Sequence, residues 1–233
     1  MRYSTSPRIM YNFATAAFVL LLAVGALGVE DGKEKTIVNV DVYYESLCPD
    51  SVRFIKSQLV PAYPNLQDHL HVNFVPFGKA THRRDESTGR WTFMCQHGPA
   101  ECNGNRAQAC ALDAIVKNEK AEDRQRLSVN LVGCAMSASN PSTAVTRCGQ
   151  TVGLTMVTRR RIADCEESTL ADDLLASHGD KTYSLDPSLT FVPTIVVNGV
   201  YSSENQSAAL SNFQGLICGL LPQDQKPASC ASA

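Results

Sequence analysis

The sequence predicts an α/β fold in which a small β-sheet is interrupted by a long, mostly helical segment. Three patterns predict it: a strand and helix near residues 37–59, a strand and helix near residues 189–220, and roughly 110 residues between the last early strand and the late one, too many for a loop. The 233 residues are 44% apolar, which is enough to bury one sizeable core. A formal net charge of -2 gives no electrostatic reason to bind nucleic acid, so we expect no nucleic-acid partner.

The first 28 residues are predicted to be a signal peptide, and residues 29–233 a single mature domain. Arg2 and Arg8 precede an uncharged stretch that ends in small residues. This stretch is shorter than the roughly 20 apolar residues of a spanning helix, so we expect no membrane span in the mature chain. An uncleaved signal anchor is the alternative. Passage through the secretory pathway would make Asn205, in the sequon Asn-Gln-Ser, a candidate for glycosylation.

The early strand and helix place one cysteine in a reactive position. Residues 37–44 are rich in β-branched and aromatic side chains, and a helical pattern follows from residue 52. Pro49 suits the first helical position, so Cys48 falls at the N-cap. Free backbone N–H groups and the positive end of the helix dipole stabilise a thiolate there, and a thiolate is the species that attacks disulfides. A buried structural cysteine is the alternative.

The late segment predicts a strand, a hairpin turn at Asn198-Gly199, a return strand and a terminal helix over residues 208–220. A β-α-β unit at the start and a β-β-α unit at the end are typical of the thioredoxin fold. Val192 and Pro193 resemble the cis-proline loop of that superfamily, which lies against the reactive cysteine and offers backbone groups to an extended substrate. The resemblance makes both of them candidate substrate-binding residues.

The fold is therefore predicted to be thioredoxin-like with a mostly helical insertion stapled by disulfides. The base covers about residues 35–78 and 189–221, and includes a second strand at residues 71–77. The insertion covers about residues 79–188, with helical spacing at residues 108–116 and 124–135.

Nine cysteines in a secreted chain leave one without a partner when the other eight are paired. No cysteine or histidine pattern has zinc-site spacing, so no metal site is expected. Cys218 and Cys230 bracket a short proline-containing turn and are the best single pair, whereas eight cysteines allow 105 connectivities and leave the others open.

Residues 95–110 carry the most specific motif. The segment Cys-Gln-His-Gly-Pro-Ala-Glu-Cys-Asn-Gly-Asn-Arg-Ala-Gln-Ala-Cys is similar to the signature C-Q-H-G-x-x-E-C-x-x-N-x-x-x-x-C of the gamma-interferon-inducible lysosomal thiol reductases (GILT), and it meets every fixed position. The resemblance covers essentially the mature chain. It implies a thiol-disulfide oxidoreductase that acts on disulfide-containing proteins, in the lysosome or after secretion. Spacing alone assigns no role to His97, for which a structural role in the loop is favoured.

The chain departs from that family at one decisive position. The family usually carries Cys-x-x-Cys, whereas this sequence has Ser51 three residues after Cys48. The odd cysteine count then has an explanation, because Cys48 stays free while eight cysteines form structural disulfides: Cys95, Cys102, Cys110, Cys134, Cys148, Cys165, Cys218 and Cys230.

Two hypotheses follow from the missing second cysteine. In the first, Cys48 and Ser51 are catalytic residues of a monothiol enzyme, in which the Ser51 hydroxyl can donate a hydrogen bond to the thiolate. Such an enzyme needs no bound cofactor, but it needs an external small thiol such as glutathione or cysteine for turnover. In the second, catalysis is impaired and the domain is a secreted binding protein that uses the groove beside Pro193.

Overall fold

A computed structural model describes residue 1 and residues 34–232 of the chain. Apart from residue 1, the predicted signal peptide at residues 1–28 lies outside the described residues. The fold described below is that of the compact unit that begins at Lys35. No helix in the described part of the chain is long and apolar enough to cross a membrane.

The first half of the base is a β-α-β unit. Strand β1 has alternating buried residues that pack under a helical segment, as the sequence predicts. The helical segment has three parts, two α-helices with a π-helical turn between them, and a second buried strand follows it. The elements are β1 (Val38–Tyr44), α1 (Pro49–Phe54), the π-helical turn (Ile55–Leu59), α2 (Val60–Leu66) and β2 (Leu70–Pro76).

The second half of the base adds one strand and the terminal helix. Strand β5 (Thr194–Val197) pairs antiparallel with β1, whereas β2 pairs parallel with β1. Among the described residues, these strands form a three-stranded sheet in the order β2-β1-β5. Helix α8 (Ser203–Leu220) returns across the sheet, with a kink at Asn212. This arrangement is the thioredoxin-like base that the sequence predicts.

The late segment differs from its prediction in two ways. The strand begins at Thr194 rather than near residue 189, because only residues 194–197 lie opposite β1. The turn at Asn198 and Gly199 forms with positive φ at both residues, but the return strand is wrong: a single bridge joins Val197 to Val200 before the chain turns away. Helix α8 begins at Ser203, five residues earlier than predicted, and Ser202 is its N-cap.

The insertion is mostly helical, as predicted, and it also contains a β-hairpin that the sequence analysis missed. Strand β3 has no apolar residue, and the alternation of β4 extends over only four residues, so period-2 hydrophobicity gave too short a signal. Between residues 77 and 193 the elements are β3 (Thr81–Arg84), β4 (Trp91–Met94), α3 (Pro99–Asn118), α4 (Ala121–Ser137), a 3-10 turn (Pro141–Thr143), α5 (Val145–Thr151), α6 (Met156–Glu166) and α7 (Thr169–Tyr183).

Two of the five hydrophobic clusters in the described part of the chain are large. The larger one lies between the sheet and the helices on one face, where Phe54 and Phe213 meet edge to face with ring centroids 5.6 Å apart. The second cluster lies among the helices of the insertion. Tyr44, at the end of β1, is fully buried and donates its hydroxyl to Gln108 Oε1 at 2.6 Å, so the end of the first strand is fixed against α3.

Candidate active site

Cys48 lies at the N-cap of α1, at the junction between strand and helix. Its backbone is extended (φ -67°, ψ 122°), Pro49 takes the first helical position, and the Val52 N–H donates to the Cys48 carbonyl at 3.0 Å. Cys48 is the free cysteine of the described chain, and it is 6% exposed. The sulfur therefore lies where the first N–H groups of a helix point outward without intrahelical partners.

The loop before β5 faces this sulfur. The Val192–Pro193 peptide bond is cis, and Cys48 Sγ lies 3.8 Å from the Val192 carbonyl oxygen, to which the thiol donates a weak hydrogen bond. Gln206 of α8 holds the loop from behind, because its Nε2 donates to the Pro193 carbonyl at 3.0 Å and its Oε1 accepts from the Ile195 N–H at 2.8 Å. Gln206 is a site residue that sequence reasoning missed, since nothing in the local pattern links it to Pro193.

Ser51 is fully buried one turn into α1. Its hydroxyl oxygen accepts a long hydrogen bond, 3.4 Å, from the Glu45 backbone N–H. Among the described residues no hydrogen bond joins Ser51 to Cys48, so the thiolate contact expected from the sequence is not formed in this state. The hydroxyl hydrogen remains free to rotate toward an acceptor, because accepting a bond does not use it.

The other eight cysteines form four disulfides. The pair Cys218–Cys230, expected from the sequence, closes the turn after α8. The remaining three, which the sequence left open, lie in the insertion: Cys95–Cys102, Cys110–Cys165 and Cys134–Cys148. The first of these spans only seven residues and joins the loop after β4 to the start of α3.

The motif at residues 95–110 packs directly against the turn that leads into Cys48. The Ser46 N–H donates to Asn105 Oδ1 at 2.8 Å, and the Ser46 hydroxyl donates to the Glu101 carbonyl at 3.1 Å. A Cβ at Gly104 would overlap the Ser46 hydroxyl and lie 2.9 Å from the Ser142 Cα, so only glycine allows this approach. We call these contacts between residues 97–108 and residues 44–46 the clamp.

Glu45, His97 and Glu101 form the charged part of the clamp. His97 Nδ1 lies 2.6 Å from Glu101 Oε2 and 3.4 Å from Glu45 Oε2. The backbone N–H groups of Lys79 and His97 donate to Glu45 Oε1 and Glu101 Oε1, at 2.7 Å and 3.1 Å respectively. Burial raises the pKa of the Glu45 carboxyl, and the charge of Glu101 adds to that rise, whereas the Lys79 hydrogen bond opposes it.

This charged group is connected to the reactive sulfur through the backbone of the turn. The Cys48 N–H donates to the Glu45 carbonyl at 3.3 Å, so a shift in Glu45 moves the backbone that carries the thiol. His97 thus has a place beside the reactive turn that spacing could not assign. Glu45 was also missed, although it precedes Cys48 by three residues, because a carboxylate in a turn is usually exposed.

The glycosylation candidate Asn205 lies in the first turn of α8, where its N–H donates to the Ser202 hydroxyl at 3.1 Å. It is half-buried and precedes Gln206, the residue that holds the proline loop. Any modification there would thus lie close to the site.

A thioredoxin-like base that holds one free cysteine at a helix N-terminus, facing a cis-proline, defines the class of the thiol-disulfide oxidoreductases. The family model described as "Gamma interferon inducible lysosomal thiol reductase (GILT)" matches residues 39–152. With a relative that is 37% identical over 91% of this chain, this match shows that the chain belongs to the GILT family.

Relatives support this assignment over most of the chain. The "Gamma-interferon-inducible lysosomal thiol reductase-like protein" of Anopheles gambiae is 37% identical over 218 residues, which cover 91% of this chain and 86% of that protein. The "Gamma-interferon-inducible lysosomal thiol reductase" of Carassius auratus is 33% identical over 193 residues, 83% of this chain and 72% of that protein. Among solved structures, the chain is similar to "a thioredoxin-like oxidoreductase from Silicibacter pomeroyi DSS-3", with a TM-score of 0.43 and 16% identity over 76% of this chain and 86% of that one.

Proposed function

We propose that this protein is a monothiol disulfide oxidoreductase in which Cys48 is the nucleophile. The observation that carries the proposal is the place of the free sulfur, at the helix N-terminus and 3.8 Å from the carbonyl before the cis-proline. A thiolate is stabilised at a helix N-terminus, and the residues of the proline loop can pair with an extended substrate chain. Because Cys48 is only 6% exposed, an unfolded segment suits the site better than a bulky folded surface.

The reaction balances with an external thiol as the reductant. The Cys48 thiolate attacks one sulfur of a protein disulfide, the disulfide bond breaks, and the other substrate sulfur leaves as a thiolate that takes up a proton. A small thiol such as glutathione or cysteine then attacks the Cys48 sulfur and releases the second substrate thiol. A second small thiol then attacks the sulfur of the first, the bond to Cys48 breaks, and the Cys48 thiolate leaves while the two small thiols form an oxidised disulfide. If another substrate cysteine attacks the mixed disulfide instead, the net result is isomerisation.

The test is the rate at which the purified mature chain reduces a denatured, disulfide-bonded protein in glutathione or free cysteine. We expect acceleration that is lost in Cys48→Ala and in Cys48→Ser, while Leu210→Ala, at an exposed position of α8, keeps it. Equal rates for the parent chain and Cys48→Ala would contradict the proposal. Without an added small thiol, the substrate should stay covalently bound to the parent chain and should not bind covalently to Cys48→Ala. This result would identify the mixed disulfide directly.

A binding function is the second candidate, and the buried hydroxyl of Ser51 favours it. Serine cannot form the intramolecular disulfide that releases a trapped substrate, and its oxygen is already engaged with the Glu45 N–H. A chain that binds unfolded peptides without accelerating their reduction, with equal affinity in Cys48→Ala, would support this function over catalysis.

We also propose that the chain acts in the secretory pathway or the lysosome. Four disulfides persist most readily in an oxidising compartment, and two of the relatives above have lysosomal in their names. N-terminal sequencing of the secreted chain tests cleavage after residue 28. A mobility shift on glycosidase treatment that is absent in Asn205→Gln tests the sequon.

A further inference from the structure

The charged part of the clamp is a group of potential metal ligands. One nitrogen of His97 and one carboxylate oxygen from each of Glu45 and Glu101 lie within 4.8 Å of one another. The two glutamates are fully buried, and the His97 side chain is 34% exposed. Ligands that are buried on one side and reach solvent on the other leave a route for an ion.

The group has an unsatisfied atom at its centre. Glu45 Oε2 is buried and has no hydrogen-bond partner among the described residues, although Oε1 of the same carboxylate is bonded to the Lys79 N–H. Its charged neighbour is His97 Nδ1 at 3.4 Å, beyond good hydrogen-bond length. A buried carboxylate oxygen without a hydrogen-bond partner costs free energy, so a cation bound against it would stabilise the folded chain.

The group also brings two acidic side chains together in a buried place. Two carboxylates are buried side by side, and the cationic side chain that acts on Glu45 besides His97 is that of Lys79. A divalent cation would meet both carboxylates, and it would replace the direct contact between His97 Nδ1 and Glu101 Oε2.

We propose that Glu45, His97 and Glu101 form a Zn²⁺ site that fastens the motif loop to the reactive-cysteine turn. Mixed histidine and carboxylate sets suit zinc, with bonds of about 2.0–2.2 Å, so ligand atoms in a tetrahedral site lie roughly 3.3 Å apart. The 3.4 Å between His97 Nδ1 and Glu45 Oε2 already matches that spacing, and Glu101 needs only to withdraw from its 2.6 Å hydrogen bond. We expect water as the fourth ligand, on the side where His97 is exposed.

The site could not be inferred from sequence spacing. His97 and Glu101 are four residues apart, but Glu45 comes from the end of β1, and only the packing of the clamp brings it to them. Gly78 makes room for the Glu45 side chain, because a Cβ there would overlap its Cγ.

The test is titration of the folded, fully disulfide-bonded chain with Zn²⁺ alone, in competition with a chromophoric chelator. The titration uses the Cys48→Ala chain, because the free thiol could otherwise bind Zn²⁺ itself. The outcome then does not depend on catalysis. We expect one Zn²⁺ per chain and an affinity at least about tenfold lower in Glu45→Gln and His97→Gln. His71→Gln, an exposed histidine on β2, is the matched control and should bind as the background does.

Two results would overturn the proposal: no binding by the Cys48→Ala chain, or equal binding by that chain and His97→Gln. Glutamine at position 45 keeps an oxygen for the Lys79 N–H, and circular dichroism checks that each variant is folded. If Glu45→Gln does not fold, the comparison with His97→Gln alone tests the site. The His97 side chain is partly exposed, so we expect that variant to fold. A rise in melting temperature with Zn²⁺ that is absent in His97→Gln is the second readout.

Discussion

The Ser46 backbone N–H donates a 2.8 Å hydrogen bond to Asn105 Oδ1, and this bond joins the turn before Cys48 to helix α3. Both residues are fully buried. The bond therefore cannot be replaced by water without a change of packing, and the fixed asparagine of the 95–110 motif has a physical role in placing the reactive sulfur.

Asn105→Ala tests that role. The substitution leaves the buried Ser46 N–H without a partner, and such a loss costs about 1–3 kcal/mol. We expect the free energy of unfolding in urea to fall by that amount, and the rate of Cys48 alkylation to change because the turn is no longer held. Asn103→Ala, an exposed position of the same helix, is the control and should change stability by less than about 0.5 kcal/mol. If both variants behave alike, Asn105 does not hold the turn.

Gly104→Ala tests how closely helix α3 packs against the turn at Ser46. Alanine normally stabilises a helix interior by about 1 kcal/mol relative to glycine. Here the new Cβ would overlap the Ser46 hydroxyl and press on the Ser142 backbone, so we expect a net loss of about 1–3 kcal/mol. Gly219→Ala in α8 has nothing within 4 Å of the new Cβ and should be neutral or stabilising. A Gly104→Ala chain as stable as the Gly219→Ala chain in thermal melting would show that α3 can move away at no cost.

The Cys95–Cys102 disulfide closes the loop that carries His97, so we expect its removal to change the reactivity of Cys48. Replacing both cysteines by serine should cost about 2–3 kcal/mol in the chain-entropy account of a short loop. We also expect slower or altered alkylation of Cys48. The matched control removes Cys134–Cys148, which spans 14 residues among the insertion helices; it should lower stability similarly but leave Cys48 reactivity unchanged. Equal effects of the two variants on alkylation would argue against a specific link.

Much of the fold could be predicted because its signals are local. The strand at residues 38–44 has a dense β-branched pattern, and Pro49 marks where the helix begins, so the position of Cys48 followed from neighbours in sequence. The thioredoxin-like fold and the GILT family are confirmed. The thiol chemistry is confirmed at the level of the oxidoreductase class, and the monothiol mechanism stays a prediction.

The parts that could not be predicted depend on contacts between distant segments. Glu45 meets His97, and Gln206 meets Pro193, only after the insertion and α8 have packed on the sheet. The hairpin of β3 and β4 is held by Phe93, which packs on the Phe77 cluster, and by the Trp91 Nε1–H, which donates to Asp173 on α7 at 2.8 Å. Hydrophobic periodicity does not show which distant segments such side chains will meet.

Ser51→Cys should raise reductase turnover. Position 51 is one helical turn after Cys48 and fully buried, so a thiol there can attack the mixed disulfide within the chain and release the substrate without waiting for a small thiol. We expect turnover to become less dependent on glutathione concentration. Ser51→Ala, which removes only the hydroxyl, is the control for loss of the contact with the Glu45 N–H. No gain in Ser51→Cys, in a chain shown to be folded, would mean that the rest of the site no longer supports dithiol chemistry.

We expect the burial of His178 to lower the free energy of unfolding in acid. It lies on α7 beside a cavity of about 610 Å³ that it shares with His71 and Lys181, and burial, with a smaller contribution from Lys181, lowers its pKa from 6.5 to about 4. Between these values the unfolded chain binds a proton that the folded chain does not, so this contribution to stability is complete above pH 6.5 and is lost as the pH falls toward 4.

The loss is at most about 3 kcal/mol, because that is the free-energy equivalent of the drop in pKa. Urea unfolding of His178→Gln between pH 4 and pH 7 should therefore show a flatter dependence on pH than the parent chain. His71→Gln, on the exposed side of the same cavity, is the control and should keep the parent slope. If His178→Gln keeps the full slope, another group carries the acid sensitivity, and the neutral form of this imidazole is not what the fold requires.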